Sequence, residues 1–234
     1  MRYHRWLFGP LLLGATTIVV PQVAQGHEEP AAPFDDARLE IEFNSTDGDA
    51  GVQVFADSDA EWKRFQIFRP DGRKILDIKA QGVLRDFGLS ELFSESSEPP
   101  FTELPFAEFK KLFPAGNYRF KGVTTDGHKL ASVVPFSHQI LDAPQLVSPM
   151  DGGTLPVNHA VIQWKPVKGA VDYEVIVTNE DDESLVTDVT KSPDVTRLTV
   201  PPEFLERGVG YAIEIHASDV SGNRIFTEVH FTAV

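Results

Sequence analysis

The stretch GYAIEIHASDVSGNRIFTEVHF, residues 210–231, decides how the carboxyl half of this chain folds. Tyr211, Ile213, Ile215 and Ala217 alternate with Ala212, Glu214 and His216, the period of two that marks a strand with one face on a core. Ile225, Val229 and Phe231 repeat the pattern after an interruption at Val220-Ser221-Gly222-Asn223. That interruption places glycine where a tight hairpin turn needs a strained backbone. A turn that sets Ala217 opposite Ile225 also sets Ala212 opposite His230. His216 and His230 then lie four residues apart along the strands, about 13 Å, and a metal shared by the two is not expected.

Working outward, the upstream residues supply further strands at sandwich spacing. Leu146-Val147-Ser148-Pro149, Val161-Ile162-Gln163-Trp164 and Tyr173-Glu174-Val175-Ile176-Val177 come first, then Leu198-Thr199-Val200-Pro201. With Trp164 on the second strand, Gly210-Tyr211 opening the strand before the last, and Pro201 at the corner between, residues 145–234 resemble a fibronectin type III domain. The resemblance implies a seven-stranded sandwich with a core tryptophan and a tyrosine corner. It implies no catalytic residues, because such sandwiches host many functions.

The amino half shows strand patterning without a family signature. In Arg38 to Asn44, Leu39, Ile41 and Phe43 alternate with Glu40, Glu42 and Asn44. Gly51 to Ala56 and Trp62 to Arg69 read as two further strands, and Pro70-Asp71-Gly72 as a turn into Lys74 to Lys79. Leu89, Leu92 and Phe93 suggest a helical turn or two, and Pro105 to Phe113 a short amphipathic helix stopped by Pro114-Ala115-Gly116. Strand character returns at Asn117 to Thr124 and His128 to Phe136. The chain therefore reads as all-β: two β-sandwich domains, the first with a short helical insertion and the second fibronectin type III-like. The expected boundaries are a loose linker at 27–36, a first domain at 37–142 and a second at 143–234, with Asp142-Ala143-Pro144 between them.

The first 26 residues have the layout of a secretory signal. Arg2 and Arg5 form the positive region, Trp6 to Val20 the apolar region, and Ala24 and Gly26 the small residues before a cleavage site. The apolar stretch, broken by Gly9, Pro10 and Gly14, is shorter than the ~20 residues a spanning helix needs. Cleavage near Gly26 into a periplasmic or secreted protein is expected, with no membrane insertion of the mature form. The chain has no cysteine, which excludes disulfides, thiolate metal sites and a cysteine nucleophile. An exported protein without disulfides points to a bacterial source.

The whole chain carries 21 basic and 35 acidic residues, net −14. Loss of Arg2 and Arg5 with the signal leaves the mature form still more acidic. A chain so charged repels phosphate backbones, so nucleic acid is excluded as a partner.

Catalytic constellations are absent. Gly88-Leu89-Ser90-Glu91-Leu92 and Val220-Ser221-Gly222-Asn223 both fail the nucleophile-elbow pattern, and no H-E-x-x-H occurs. Asp47-Gly48-Asp49 and Asp57-Ser58-Asp59-Ala60-Glu61 offer hard oxygen ligands for calcium, but Trp62 stands where an EF-hand loop needs glycine. Six strand residues, about 20 Å, also separate the two strings. Solvated turns explain both, and likewise the acidic run Asn179 to Glu183. No catalytic, cofactor or metal residue is assigned.

Function then falls to surfaces. Phe87 to Phe113 holds six of the seventeen phenylalanines yet interrupts the strand pattern. Phe106, Phe109 and Phe113 share one helical face that caps the first sandwich. The polar loop Ser94 to Pro100 reads as too polar to pack, and Phe101 and Leu104, just after it, are the expected exposed partner contacts. The expectation is an exported, non-catalytic interaction or scaffolding protein that presents β-sandwich surfaces to a protein partner. The alternative is a glycan- or small-ligand-binding accessory module, assisted by calcium, with Trp62 as the stacking ring.

Overall fold

The structure is a computed structural model that describes residues 30–234. The signal segment expected at 1–26 lies outside the described residues. The amino half runs β1 (Asp36–Asn44), β2 (Asp49–Phe68), β3 (Lys74–Lys79), helix α1 (Val83–Phe87), β4 (Leu89–Glu95), helix α2 (Phe106–Leu112), β5 (Gly116–Thr124) and β6 (Lys129–Phe136). The carboxyl half continues with β7 (Leu146–Ser148), β8 (Gly153–Leu155), β9 (Ala160–Trp164), β10 (Asp172–Asn179), β11 (Leu185–Lys191), β12 (Arg197–Val200), β13 (Gly210–Ser218) and β14 (Arg224–Ala233). The fold is all-β.

In the carboxyl half, β12-β9-β7 form one sheet and β11-β10-β13-β14 face it. These are the seven strands expected of the sandwich. Their inner faces pack Trp164, Tyr173, Val175, Ile213, Ile215 and Phe231 into one cluster, with Trp164 only 1% exposed. The last hairpin pairs Ala217 with Ile225 and Ala212 with His230, the register that the alternation required.

The amino half departs from expectation at two places. The segments 51–56 and 62–69 are not separate strands. They belong to the single strand β2, which bends after Asp57 and changes neighbours. Its first part lies between β1 and β4, and its second between β3 and β5. Leu89 to Phe93, read as helical, forms β4 instead. Leu, Leu and Phe at this spacing satisfy either period, and long-range pairing with β2 decides for the strand. Helix α2 forms where expected, one residue short at each end.

A second cluster fills this half, with Trp62, Phe65, Phe109, Tyr118 and Phe120 buried. Phe34 is buried there too, so the end of the segment read as a linker belongs to the core.

The halves are joined through the backbone. β1 pairs in parallel with β14, Glu42 to Asn44 against Arg224 to Phe226, so one sheet runs from β11 to β6. Phe43 and Ile140 pack against both clusters.

Candidate functional site

The seam between β1 and β14 creates a polar site that single-strand patterns do not show. On β1 the inner residues Leu39 and Ile41 join the core, which turns Glu40, Glu42 and Asn44 to the opposite face of the sheet. β13 and β14 bring Glu214, His216, Arg224 and Phe226 to this face. His216, on the face opposite the core, is 3% exposed, flanked by Glu214, Phe226 and Glu42, and a strap of chain crosses the neighbouring β1–β2 ladder. Its ring stacks on Phe226 with centroids 4.5 Å apart.

The strap is the segment Ser96 to Phe101. Ser96 N–H donates to Val52 O at 2.9 Å, Val52 N–H donates to Ser96 Oγ at 2.9 Å, and Phe101 N–H donates to Gly48 O at 2.7 Å. The polar segment is therefore tied down at both ends, by Val52 of β2 and by Gly48 before it, with Ser96, Glu98 and Pro99 partly buried. It crosses directly over Gly51, which stands opposite Glu42 in the β1–β2 ladder. A Cβ at Gly51 would come within 2.7 Å of Glu98 Oε1, so only glycine lets this carboxylate settle on the sheet.

Carboxylate oxygens of Glu42, Glu95 and Glu98 thus lie within 4.8 Å of one another. Buried Gln53 donates from Nε2 to Glu42 at 2.8 Å and to Glu95 at 2.9 Å. His216 Nε2 meets Glu214 Oε2 at 2.8 Å, while Nδ1 has no hydrogen-bond partner and lies 3.9 Å from Glu42 Oε2. Burial pushes the Glu98 carboxyl up to about 7, and the charges of Glu42, Glu95, Asp49 and Glu214 push the same way. Glu42 is also raised by burial, opposed by His216 and Arg224. Arg224 makes its closest ion pair with Glu174, at 2.9 Å, and stands 3.8 Å from Glu42.

Other residues singled out by sequence fall elsewhere. Trp62, the ring expected to stack on sugars, is completely buried against Phe65, which removes the aromatic platform of the glycan reading. Phe101 and Leu104, the expected partner contacts, are partly rather than fully exposed. Both are half-buried against the amino core, and Phe101 packs on Phe43 and Phe106 with centroids 5.1 and 5.8 Å away. His230 remains exposed and pairs with Glu180 of the acidic run at 2.6 Å. Asp57 and Asp59 are exposed on β2, and Asp47 and Asp49 sit at the β1–β2 turn.

Exposure is concentrated instead on α1, for which sequence reasoning gave no signal. None of its residues is buried, and Val83, Leu84 and Phe87 are 71%, 53% and 76% exposed. Beside it, Lys63, Arg64, Lys79 and Arg85 line an open groove of about 620 Å³.

The phenol of Tyr211 closes the fold assignment. At the start of β13 its hydroxyl accepts the Glu206 amide hydrogen at 2.8 Å, the tie that pins the corner before this strand. The carboxyl half is fibronectin type III-like. The chain is similar to a two-domain fibronectin type III segment of chicken tenascin, at 14% identity and TM-score 0.32, over 85% of this chain and 99% of that one. It is also similar to the FN1-FN3 domains of chicken CNTN1, at 11% identity and TM-score 0.33, over 86% and 69%. A third likeness, to CopC from Methylosinus trichosporium OB3b, covers 38% of this chain and 92% of that one at 18% identity and TM-score 0.31. Scores and identities this low carry no function across. No family model and no curated protein matches the chain. Among the described residues, no helix is long and apolar enough to cross a membrane.

Proposed function

We propose that this is an exported, non-catalytic interaction protein whose fibronectin-like and amino-terminal sandwiches hold a protein-docking surface built on α1. The observation that carries the reading is the exposure of Val83, Leu84 and Phe87 on one short helix. A cluster of large apolar side chains in water marks an interaction site, since it gains from burial only when a partner covers it. The cations of the neighbouring groove set the partner's character. On a chain of net charge −14, Lys63, Lys79 and Arg85 line this groove together with Arg64, whose guanidinium is held by Asp77, and they suit a partner with an apolar socket and an acidic rim. Export rests on the layout of residues 1–26.

Affinity capture from the exported fraction tests this, with the parent compared against Leu84→Ser and Phe87→Ser. A protein retained by the parent and lost by both variants, with unchanged melting, is the expected result. Equal retention by all three would remove α1 as the docking surface.

A further inference from the structure

The amino sandwich is open along one side. β4 pairs with the first part of β2 and β3 with the second, and among the described residues neither has another strand beyond it. Between these two edges lies a cleft of about 430 Å³ whose walls include Leu39, Val52, Val54, Ile67 and Leu76. That volume falls in the lower part of the roughly 300–1,000 Å³ range of small-ligand pockets. None of its lining residues belongs to α1 or to the groove beside it.

The opening originates in β4. The ladder sets Ser94 opposite Val54, and Ser96 is bonded to Val52, so both serines share the inward face of the valines. Leu92, opposite Ala56 in the same row, packs against the core as an inward residue of a closed sandwich would. Two serines in place of large apolar side chains leave the space between the edges unfilled.

Arg69 and Arg73, which also line the cleft, change its character at one side. Arg69 donates to Leu112 O at 3.1 Å and pairs with Asp71 at 3.1 Å, but its Nε is buried without a partner. A buried donor left in this state calls for an acceptor, and an anionic one makes the stronger bond. Arg73 is exposed, and Asp71 lies in the field of both guanidiniums, so two cations share one acid. Glu95, the one acid in the lining, turns its carboxylate to the other face of the sheet, where Gln53 holds it at 2.9 Å. An apolar cleft with surplus positive charge at its rim fits a ligand that is apolar along its length and anionic at one end.

We propose that the cleft binds a medium-chain fatty acid, with its carboxylate on Arg69 Nε and Arg73 and its alkyl chain between β3 and β4 over Val52, Val54 and Ile67. The cleft volume suits a chain of about ten carbons or fewer. This assignment is independent of the docking surface on α1.

The test is calorimetric titration of the full chain with sodium hexanoate, octanoate and decanoate, beside 1-octanol, for the parent, Arg73→Gln, Ser94→Leu and Phe87→Ser. Expected is one saturable site that tightens by about 4-fold per added methylene. Octanol should bind at least about 10-fold more weakly than octanoate, because it lacks the charge-assisted bonds. Arg73→Gln should narrow that gap without weakening octanol. Ser94→Leu should fill the cleft and abolish binding of both, and since Ser94 and Arg73 are exposed, both variants should melt as the parent does or higher. Phe87→Ser should bind octanoate as the parent does, and its loss of binding would move the ligand to α1 and overturn the assignment. Absence of a saturable site, equal affinity for acid and alcohol, or undiminished binding by Ser94→Leu would also overturn it.

Discussion

The side chain of Asn223, in the β13–β14 turn, accepts the backbone amide hydrogen of Ile41 in β1 at 2.8 Å. Its Nδ2 donates to Gln139 O at 2.9 Å and to Ser137 O at 3.2 Å, so one buried amide joins the carboxyl sandwich, β1 and the connecting segment. Asn223→Ala leaves those backbone groups without partners in a site where Asn223 is 2% exposed. The expected cost is about 1–3 kcal/mol in denaturant unfolding. An unchanged midpoint would show that water replaces the amide.

Trp62 and Phe87 make a contrasting pair. The first is completely buried and the second 76% exposed. Trp62→Ala should cost about 3–5 kcal/mol. Phe87→Ala should stay within about 0.5 kcal/mol of the parent. Chemical denaturation of both variants checks the assignment of core and surface in the amino half.

Phe101, half-buried on Phe43 and Phe106, should fall between them at about 1–3 kcal/mol for Phe101→Ala, since only part of its ring area leaves water. A loss below this range would return Phe101 to the surface.

Tyr211→Phe tests the corner. The ring stays stacked on Phe231, while the Glu206 amide loses its acceptor. About 0.5–1.5 kcal/mol of stability should be lost with no change in fold by circular dichroism.

The seam also sets the response to acid. The carboxyls of Glu40, Glu42 and Glu98 are all raised in the folded state, Glu98 to about 7, chiefly by burial. Groups raised on folding bind protons more tightly in the native state, so their contribution is fully present below the ordinary carboxylate range. It is lost as pH climbs through the folded values. Tm should therefore fall between the ordinary carboxylate value, 4.5, and about 7, and Glu98→Gln should flatten that slope. A Tm that rises across this window would contradict the burial of these groups.

The carboxyl half was legible in sequence because its information is local. Ala217 and Ile225 face each other across the β13–β14 hairpin, and Trp164 and Tyr211 sit on strands with a clean period of two. β2 was not legible, because nothing in Ser58 to Glu61 forbids a break, and only its two sets of neighbours carry the strand through. Leu89, Leu92 and Phe93 fit a helix as well as a strand. The burial of His216 follows from β1 lying beside β14, a pairing between segments about 180 residues apart that no alternation encodes. The acidic site was hidden for the same reason. Glu42 and Glu98 meet only because the strap returns across Gly51.

The parallel pairing of β1 with β14 bears on how the chain could be divided. A fragment beginning at Ala143 would lose β1 and leave the Arg224 to Phe226 edge of β14 bare, with His216 and Phe226 turned to water. Unpaired backbone beside an apolar ring is a template for another chain. Such a fragment should self-associate through that edge, and the missing strand, added back as a peptide, should compete with the association.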